Sequence, residues 1–124
     1  MANPRILVVE DDPDGQSVMS YVLNYMETSV DIATTAEEAC HFLFDEEQIY
    51  NAVVIDLVLP GMNGWQLLDM IQHNPRTAPY PCIAITGYHT SQIKEQAIRV
   101  GFVTYITKPI HAPSLAETLA TIIS

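Results

Sequence analysis

Four strand-like runs in this sequence each end at a residue that can take part in chemistry. The runs and the residues that follow them are Arg5–Val9 with Glu10 and Asp11, Ala52–Ile55 with Asp56, Cys82–Ile85 with Thr86, and Thr104–Thr107 with Lys108. If the runs are parallel strands of one sheet, their carboxyl ends share the edge at which open α/β sheets bind ligands. Three carboxylates, a hydroxyl and an ammonium group would then meet there, and such a set can hold a divalent cation and a phosphoryl group.

The three carboxylates of Glu10, Asp11 and Asp56 indicate a cation site. Held close together, they repel one another unless a positive charge neutralises them, and a hard divalent ion with oxygen ligands meets that need. Mg²⁺ usually binds through one or two carboxylates while keeping several waters. A single acid at a strand end is often only solvated, but three acids at strand ends favour Mg²⁺ over that alternative.

Asp56 is the best candidate for a nucleophile, because it is central and follows a fully apolar strand. A carboxylate beside Mg²⁺ can form an acyl phosphate. Phosphoryl transfer depends mainly on positioning and charge neutralisation. Lys108 could supply a second positive charge to the phosphoryl oxygens, and Thr86 could donate a hydrogen bond to one of them. Either residue alone at a strand end would usually be only solvated.

The elements that would position these residues alternate along the chain. Strands are expected at about 5–9, 29–33, 52–56, 81–86 and 103–107, and helices at about 13–26, after the cap residue Thr35, and at 64–73, 91–100 and 113–123. Such alternation predicts a parallel sheet with helices on both faces. Right-handed crossovers leave few topologies, of which the order 2-1-3-4-5 is common. We therefore expect an α/β fold, a flavodoxin-like (βα)5 three-layer sandwich, with Glu10, Asp11 and Asp56 at the switch point between strands one and three.

Helix one carries the clearest local signals. Asp12 suits the N-cap position and Pro13 the first helical position. The helical spacing of apolar residues predicts a buried face formed by Val18, Tyr21, Val22, Tyr25 and Met26. Helix two is expected to begin with a capping box between Thr35 and Glu38.

Composition limits the class of protein. The 124 residues fit one domain, residues 1–124, and a content of 48% hydrophobic residues suffices for a packed core. A net charge of −10 with five Lys and Arg argues against direct binding to nucleic acid, because phosphate contacts need clustered cations. We find no apolar run of membrane-spanning length and no signal peptide, so we expect a cytoplasmic protein in which Cys40 and Cys82 are reduced.

Four motifs together resemble the receiver domain of two-component response regulators, in the single-domain form of the chemotaxis regulators. They are Val8–Asp12 (VVEDD), Ile55–Gly64 (IDLVLPGMNG), Ile85–Gly87 (ITG) and Lys108–Pro109. The resemblance covers essentially the whole chain, with the motifs in order and at matching spacings. The D-x-x-x-P-x-x-x-G stretch is the most specific part, whereas K-P or I-T-G alone would be a weak signal.

The resemblance implies a role for each matching position. Asp56 resembles the phosphoacceptor, and Lys108 resembles the lysine that contacts the phosphoryl group. For the metal, Asp11 resembles the direct Mg²⁺ ligand, Glu10 a ligand that acts mainly through a bound water, and Val58 a ligand through its backbone carbonyl. Thr86 resembles the switch hydroxyl, and Tyr105 resembles the switch aromatic. In such domains the Lys108–Pro109 peptide bond is typically cis. The resemblance also implies a histidine kinase or histidine phosphotransfer protein as phosphodonor. A downstream protein target would bind helix four, strand five and helix five of a monomer or weak dimer.

Some residues depart from the family pattern. Gly87 stands where the family more often has Ala. Val58 and Tyr88 flank the mouth of the expected site without an acid, and we hypothesise that they hinder an attacking water and slow loss of the phosphoryl group. Helix five lacks Lys and Arg, which disfavours the charge-paired dimer of the winged-helix regulators. The alternative is a partner that docks on an uncharged face around Phe102, Tyr105 and helix four.

Two other classes of function remain open. An aspartyl-phosphate hydrolase would need a second acid two residues after its nucleophile, where this chain has Val58. A non-phosphorylated interaction module would be expected to have lost site residues. We therefore expect a phosphoacceptor signalling protein that catalyses only its own phosphorylation and dephosphorylation and is not an enzyme acting on other substrates. The chain is expected either to act alone or to be a module of a hybrid histidine kinase or larger regulator.

Overall fold

The computed structural model describes residues 4–87 and 90–123, and strands and helices alternate through them. The strands are β1 (Arg5–Val9), β2 (Ser29–Ala33), β3 (Ala52–Asp56), β4 (Cys82–Thr86) and β5 (Thr104–Thr107). The helices are α1 (Pro13–Tyr25), α2 (Ala36–Cys40), α3 (Gly64–Gln72), α4 (Ser91–Val100) and α5 (Ala112–Ile123), and α2 continues into a π-helical turn at His41–Asp45. Most predicted boundaries agree with these to within a residue. The π-helical turn was not predicted.

The five strands form one parallel sheet in the order β2-β1-β3-β4-β5, which confirms the predicted topology. The register aligns the strand ends. Val9 pairs with both Ala33 and Ile55, and Thr86 pairs with Thr107. The residues that directly follow β1 and β5 therefore lie at the same edge of the sheet as the last residues of β3 and β4.

The core lies in two layers, one on each face of the sheet. Successive strand residues point to opposite faces, so Leu7 and Val9 pack towards α2 and α3, whereas Ile6 and Val8 pack towards α1 and α5. All five residues of β3 are buried. Full burial of one Val, Leu or Ile side chain contributes about 1.5–3 kcal/mol, so this central strand is well suited to hold its terminal Asp56 rigidly.

The predicted buried face of α1 is partly wrong. Tyr21 and Tyr25 are 71% and 81% exposed, and the buried residues of the helix are Gly15, Met19, Val22 and Leu23. The helix is rotated so that Met19 and Leu23, four residues apart, meet the sheet. A tyrosine tolerates the outer side because its hydroxyl remains hydrated.

The helix caps follow the sequence only in part. Asp12 caps α1 as predicted, its side chain accepting a hydrogen bond from the Asp14 amide. Thr35 caps α2, but Glu38 accepts from the Thr34 amide instead of the Thr35 amide, so the predicted capping box is incomplete. A full capping box occurs at α3 between Asn63 and Gln66.

One residue of the predicted uncharged docking face, Phe102, lies in the core, and docking of a partner there stays a prediction. Phe102 is 2% exposed and packs edge-on against Trp65, with ring centroids 5.9 Å apart, because it covers the α3–α4 side of the sheet. Tyr105 is partly exposed, and the ammonium group of Lys94 lies 5.1 Å from its ring centroid. The accessible surface around Tyr105 is therefore cationic as well as apolar.

Two further expectations concern the whole chain. Cys40 and Cys82 are free thiols, as predicted. None of the helices that the structure describes combines the length and apolar character needed to span a membrane.

Candidate functional site

The predicted acids meet at the carboxyl edge of the sheet. Glu10 directly follows β1 and Asp56 ends β3, and they are 0% and 3% exposed, whereas Asp11 is exposed. One carboxylate oxygen from each of the three residues lies within 4.8 Å of the others. The sequence therefore located this cluster correctly.

Lys108 bridges two of these carboxylates. Its ammonium nitrogen donates a hydrogen bond to Asp56 Oδ2 at 2.7 Å and forms an ion pair with Glu10 Oε1 at 2.9 Å. The Lys108 amide donates to the Thr86 carbonyl oxygen at 2.9 Å, which continues the β4–β5 ladder to the residue after β5. The Lys108–Pro109 bond is cis, as predicted. One cation thus connects groups carried by three strands.

Asp56 is held from both sides of its carboxylate. The Val58 amide donates to Oδ1 at 2.9 Å, while Lys108 occupies Oδ2. The first residue of α3, Gly64, packs directly on the Asp56 backbone, because an added Cβ there would lie 2.3 Å from the Asp56 carbonyl oxygen. The close approach requires glycine and fixes the course of the loop that follows β3.

Glu10 is a buried acid in an unfavourable environment. Burial raises its pKa to about 7, the Asp56 carboxylate adds to the rise, and Lys108 opposes it. For Lys108, burial favours a lower pKa, but the contacts with Asp56 and Glu10 outweigh burial and raise its pKa. The backbone carbonyl of Glu10 accepts a hydrogen bond from Gln16 Nε2 at 2.7 Å, which ties the residue to α1.

The cluster fits Mg²⁺ in its chemistry. All three side chains offer carboxylate oxygens, the donor type that Mg²⁺ prefers. Glu10 Oε1 is buried and forms an ion pair with Lys108 Nζ at 2.9 Å, yet the pKa of Glu10 stays raised, so Lys108 compensates its negative charge only in part. A cleft of about 280 Å³, whose lining includes Asp11, Asp56, Val58 and Lys108, gives solvent access to the cluster.

The remaining predicted residues lie on β4, on β5 and in the loop that follows β3. Thr86, 1% exposed, ends β4 beside β3, and Val58 lies at the cleft mouth with 55% of its surface exposed. Tyr105 lies on β5, where it pairs with Ala84, and it packs against the core layer between the sheet and α3. Their expected roles as switch residues and as a backbone metal ligand stay predictions. Tyr88 lies outside the described residues.

Sequence reasoning assigned no role to three residues that shape the site. Gly15 and Gln16 on α1 contact Glu10, and Gly64 contacts Asp56. The spacing Asn63-x-x-Gln66 could have indicated that α3 begins with a fixed cap at this point. No sequence signal identifies the Gly15 contact, because it depends on the distance between separate elements, whereas Gly64 is the last glycine of the D-x-x-x-P-x-x-x-G stretch that begins at Asp56.

Comparison with known proteins gives a consistent picture. A sequence model described as "Response regulator receiver domain" matches residues 6–120. A 14.6 kDa protein encoded in the sodA1 3′ region of Leptolyngbya boryana is 34% identical over 89% of this chain and 82% of its own length. A probable cyclic di-GMP phosphodiesterase of Vibrio cholerae is 30% identical over 94% of this chain, but the match spans only 26% of that protein.

The fold also matches a solved structure with a magnesium ion. The receiver domain of a sensor histidine kinase from Pseudomonas aeruginosa, described with a magnesium ion coordinated in the active site cleft, aligns with a TM-score of 0.87 at 27% identity, covering 98% of each chain.

Proposed function

The chain belongs to the response regulator receiver family, and on that premise we propose that it accepts a phosphoryl group on Asp56 in an Mg²⁺-dependent two-component phosphorelay. One observation carries this proposal. A buried carboxylate, Asp56, is oriented by the Val58 amide and Lys108 at the floor of a cleft that also exposes Asp11. A purely structural acid would not need an open cleft beside it.

The transfer requires no other reacting group from the protein. An oxygen of Asp56 attacks the phosphorus of a phosphohistidine in the donor protein, the P–N bond breaks, and the P–O bond of an acyl phosphate forms. The electron pair of the broken bond stays on the imidazole nitrogen of the donor, which takes up a proton from solvent. Lys108 Nζ is already 2.7 Å from Asp56 Oδ2, so its charge is in place for the incoming phosphoryl oxygens.

Glu10, Asp11 and Asp56 would hold the Mg²⁺. When bound, the ion supplies positive charge that offsets both the carboxylates and the transferring phosphoryl group. The Val58 carbonyl is proposed as a further ligand. Because Glu10 is the most buried of the three acids, we assign it an indirect role through a water, and we assign direct contact to the exposed Asp11.

A downstream target would bind the surface formed by α4, β5 and α5. Phosphorylation adds about −1.5 to −2 charges, which draws Thr86 and Lys108 towards the phosphoryl group and changes the packing of Tyr105. A depression of about 480 Å³ on this surface is lined by Lys94, Glu95, Ile98, Arg99 and Tyr105. Two of the chain's five Lys and Arg lie here in a protein of net charge −10, which supports a partner with an acidic and apolar contact surface.

We propose that the protein is a phosphoacceptor and not an enzyme that turns over other substrates. Residue 58, two positions after Asp56, is a valine, so the acid that an aspartyl-phosphate hydrolase needs as proton donor is missing from that position. Loss of the phosphoryl group would then depend on water entering the cleft past Val58. The donor is proposed to be a histidine kinase or a histidine phosphotransfer protein.

Mass spectrometry tests the phosphoacceptor directly. The protein is incubated with acetyl phosphate and Mg²⁺, and we expect one added phosphoryl group that disappears in Asp56→Asn and when EDTA replaces Mg²⁺. Asp69→Asn, which removes an exposed acid on α3, is the matched control and should be labelled like the wild type. Equal labelling of Asp56→Asn would show that another residue accepts the group.

A second measurement tests the proposed output surface. Beryllofluoride with Mg²⁺ mimics the phosphoryl group, and we expect it to shift the ring signals of Tyr105 in an NMR spectrum. The exposed Tyr21 and Tyr25 on α1 serve as internal controls and should not shift. Shifts confined to the residues of the cleft would argue against a change at β5.

A further inference from the structure

The carboxylate of Glu10 lies against the first turn of α1, at Gly15. A Cβ atom added to Gly15 would be 2.3 Å from Glu10 Oε1 and 3.0 Å from both Glu10 Cδ and Cγ. Real Cβ atoms essentially never approach other heavy atoms more closely than 3.0 Å. An alanine at position 15 would therefore require either the Glu10 side chain or the start of α1 to move.

Glu10 has little freedom to move away. Its side chain is fully buried, Oε1 is 2.9 Å from Lys108 Nζ, and its backbone carbonyl is held by Gln16. Oε2 lies 3.5 Å from the Asp12 amide. Any rotation that clears position 15 changes the distance to Lys108, and any outward shift of α1 disturbs the Gln16 contact.

We propose that Gly15 is a positioning residue for the site, because the absence of a side chain there allows the long Glu10 side chain to fold under α1 and place its carboxylate beside Lys108. In this role Gly15 would act only through Glu10, because it has no side chain with which to bind a phosphoryl group or a metal. This inference rests on the proposed function in that the group being positioned belongs to the Mg²⁺ and phosphoacceptor cluster.

A second glycine provides a natural comparison. Gly15 and Gly87 both line a cavity of about 480 Å³ next to Lys108, together with Val18 and Ile110. A Cβ added to Gly87 would meet no described atom within 4 Å. The same substitution at these two positions therefore separates the effect of the Glu10 contact from the general effect of filling space near the site.

The experiment is a double-mutant cycle with two readouts that do not involve phosphorylation. Gly15→Ala, Glu10→Ala and the double variant are compared with Gly87→Ala and the wild type. Thermal unfolding is measured in EDTA, and Mg²⁺ affinity is measured by calorimetry. We expect Gly15→Ala to lower Tm by about 5 °C or more and to weaken Mg²⁺ binding by about tenfold, the lower end of the effect of mutations that disturb the orientation of a ligand. Gly87→Ala should leave Tm close to that of the wild type, because the added methyl group meets no described atom within 4 Å.

The Glu10→Ala background distinguishes positioning from a general need for glycine in the helix. There the contacts with Glu10 Oε1, Cδ and Cγ are gone, so adding Gly15→Ala should no longer lower Tm and should raise it by a few degrees, because alanine is the better helix former. This measurement remains informative if Gly15→Ala alone fails to fold. The proposal is overturned if Gly15→Ala lowers Tm equally in both backgrounds, or if it binds Mg²⁺ within twofold of the wild type.

These outcomes are separate from the failure of the phosphoacceptor proposal. If acetyl phosphate does not label Asp56 but the cycle shows that the two residues are coupled, Gly15 still positions Glu10 in a cation site that serves another purpose. If Asp56 is labelled and no coupling is found, the phosphoacceptor stands and the role of Gly15 does not.

Discussion

Replacing Lys108 with methionine should destabilise the protein by about 2–4 kcal/mol at pH 8 in the absence of Mg²⁺. Lys108 Nζ lies 2.7 Å from Asp56 Oδ2 and 2.9 Å from Glu10 Oε1, and both carboxylates are almost fully buried. Removing one partner of a buried ion pair typically costs about 3–5 kcal/mol, because the remaining charge is left uncompensated. The Lys108 side chain is 27% exposed, so solvent screening reduces this cost.

The cost should depend on pH in a defined direction. Burial raises the pKa of Glu10 to about 7, and Lys108 is the group that opposes the rise, so its removal moves the pKa of Glu10 still higher. At pH 6 Glu10 in the variant takes up a proton and loses its charge. Lys108→Met should therefore be less destabilising at pH 6 than at pH 8.

Urea unfolding followed by circular dichroism at both pH values, with EDTA present, gives the free energies of unfolding. Lys94→Met is the matched control, because Lys94 is the chain's other lysine and its ammonium group lies over the partly exposed ring of Tyr105. It should change the free energy of unfolding by less than about 1 kcal/mol. A similarly small effect of Lys108→Met at pH 8 would refute the reasoning, since it would mean that water or protons already neutralise the two acids.

Three further predictions follow from the site and the core. In the metal-free protein, the raised pKa of Glu10 means that its contribution to stability is fully present below pH 4.5 and is lost as the pH rises through about 7. Mg²⁺ should bind the charged form of Glu10, so the Mg²⁺-induced rise in Tm should be larger at pH 8 than at pH 6. Equal rises at both pH values would contradict a charged Glu10 in the cation site. Val58→Glu should speed loss of the phosphoryl group several-fold, because it places an acid at the exposed mouth of the cleft in place of an apolar side chain. The rate is measured as the decay of the phosphorylated mass after removal of the donor, and an unchanged rate would show that Val58 does not limit access of water. Burial raises the pKa of Cys82 to about 12, so iodoacetamide at pH 8 should leave this thiol unmodified in the folded protein and alkylate it in urea. Rapid alkylation without urea would contradict the buried placement of β4.

The sequence predicted the parts of this protein that depend on local patterns and on topology. Apolar runs that each end in a polar residue identified β1, β3 and β4, and the handedness of crossovers led from alternation to the strand order that places Glu10 near Asp56. The buried face of α1 was not predictable in the same way. Tyr21 and Tyr25 fit helical spacing as well as Met19 and Leu23 do, and the rotation of the helix is decided by packing on the sheet.

Contacts between elements could not be read from the chain. The contact of Gly15 with Glu10 depends on how closely α1 passes the residue after β1, and a sequence records only that glycine is present. The glycine at position 64 is part of the D-x-x-x-P-x-x-x-G stretch, but its close approach to the Asp56 backbone is seen only in the structure. Phe102 was expected on an uncharged docking face together with Tyr105 and helix four, but its ring packs inward against Trp65. Both cases involve residues whose environment is set by a different element from their own.

The bridge made by Lys108 bears on how the site comes into existence during folding. The two buried acids are synthesised as residues 10 and 56. Of the five Lys and Arg side chains, Lys108 is the one that pairs with them in the described structure, and it is synthesised later, after β5. A ribosome-bound or truncated chain that ends before β5 would carry the acids without this lysine. Protons or a divalent cation would have to compensate their charge until β5 joins the sheet, so the magnesium concentration around a nascent chain should influence how early β1 and β3 can pair.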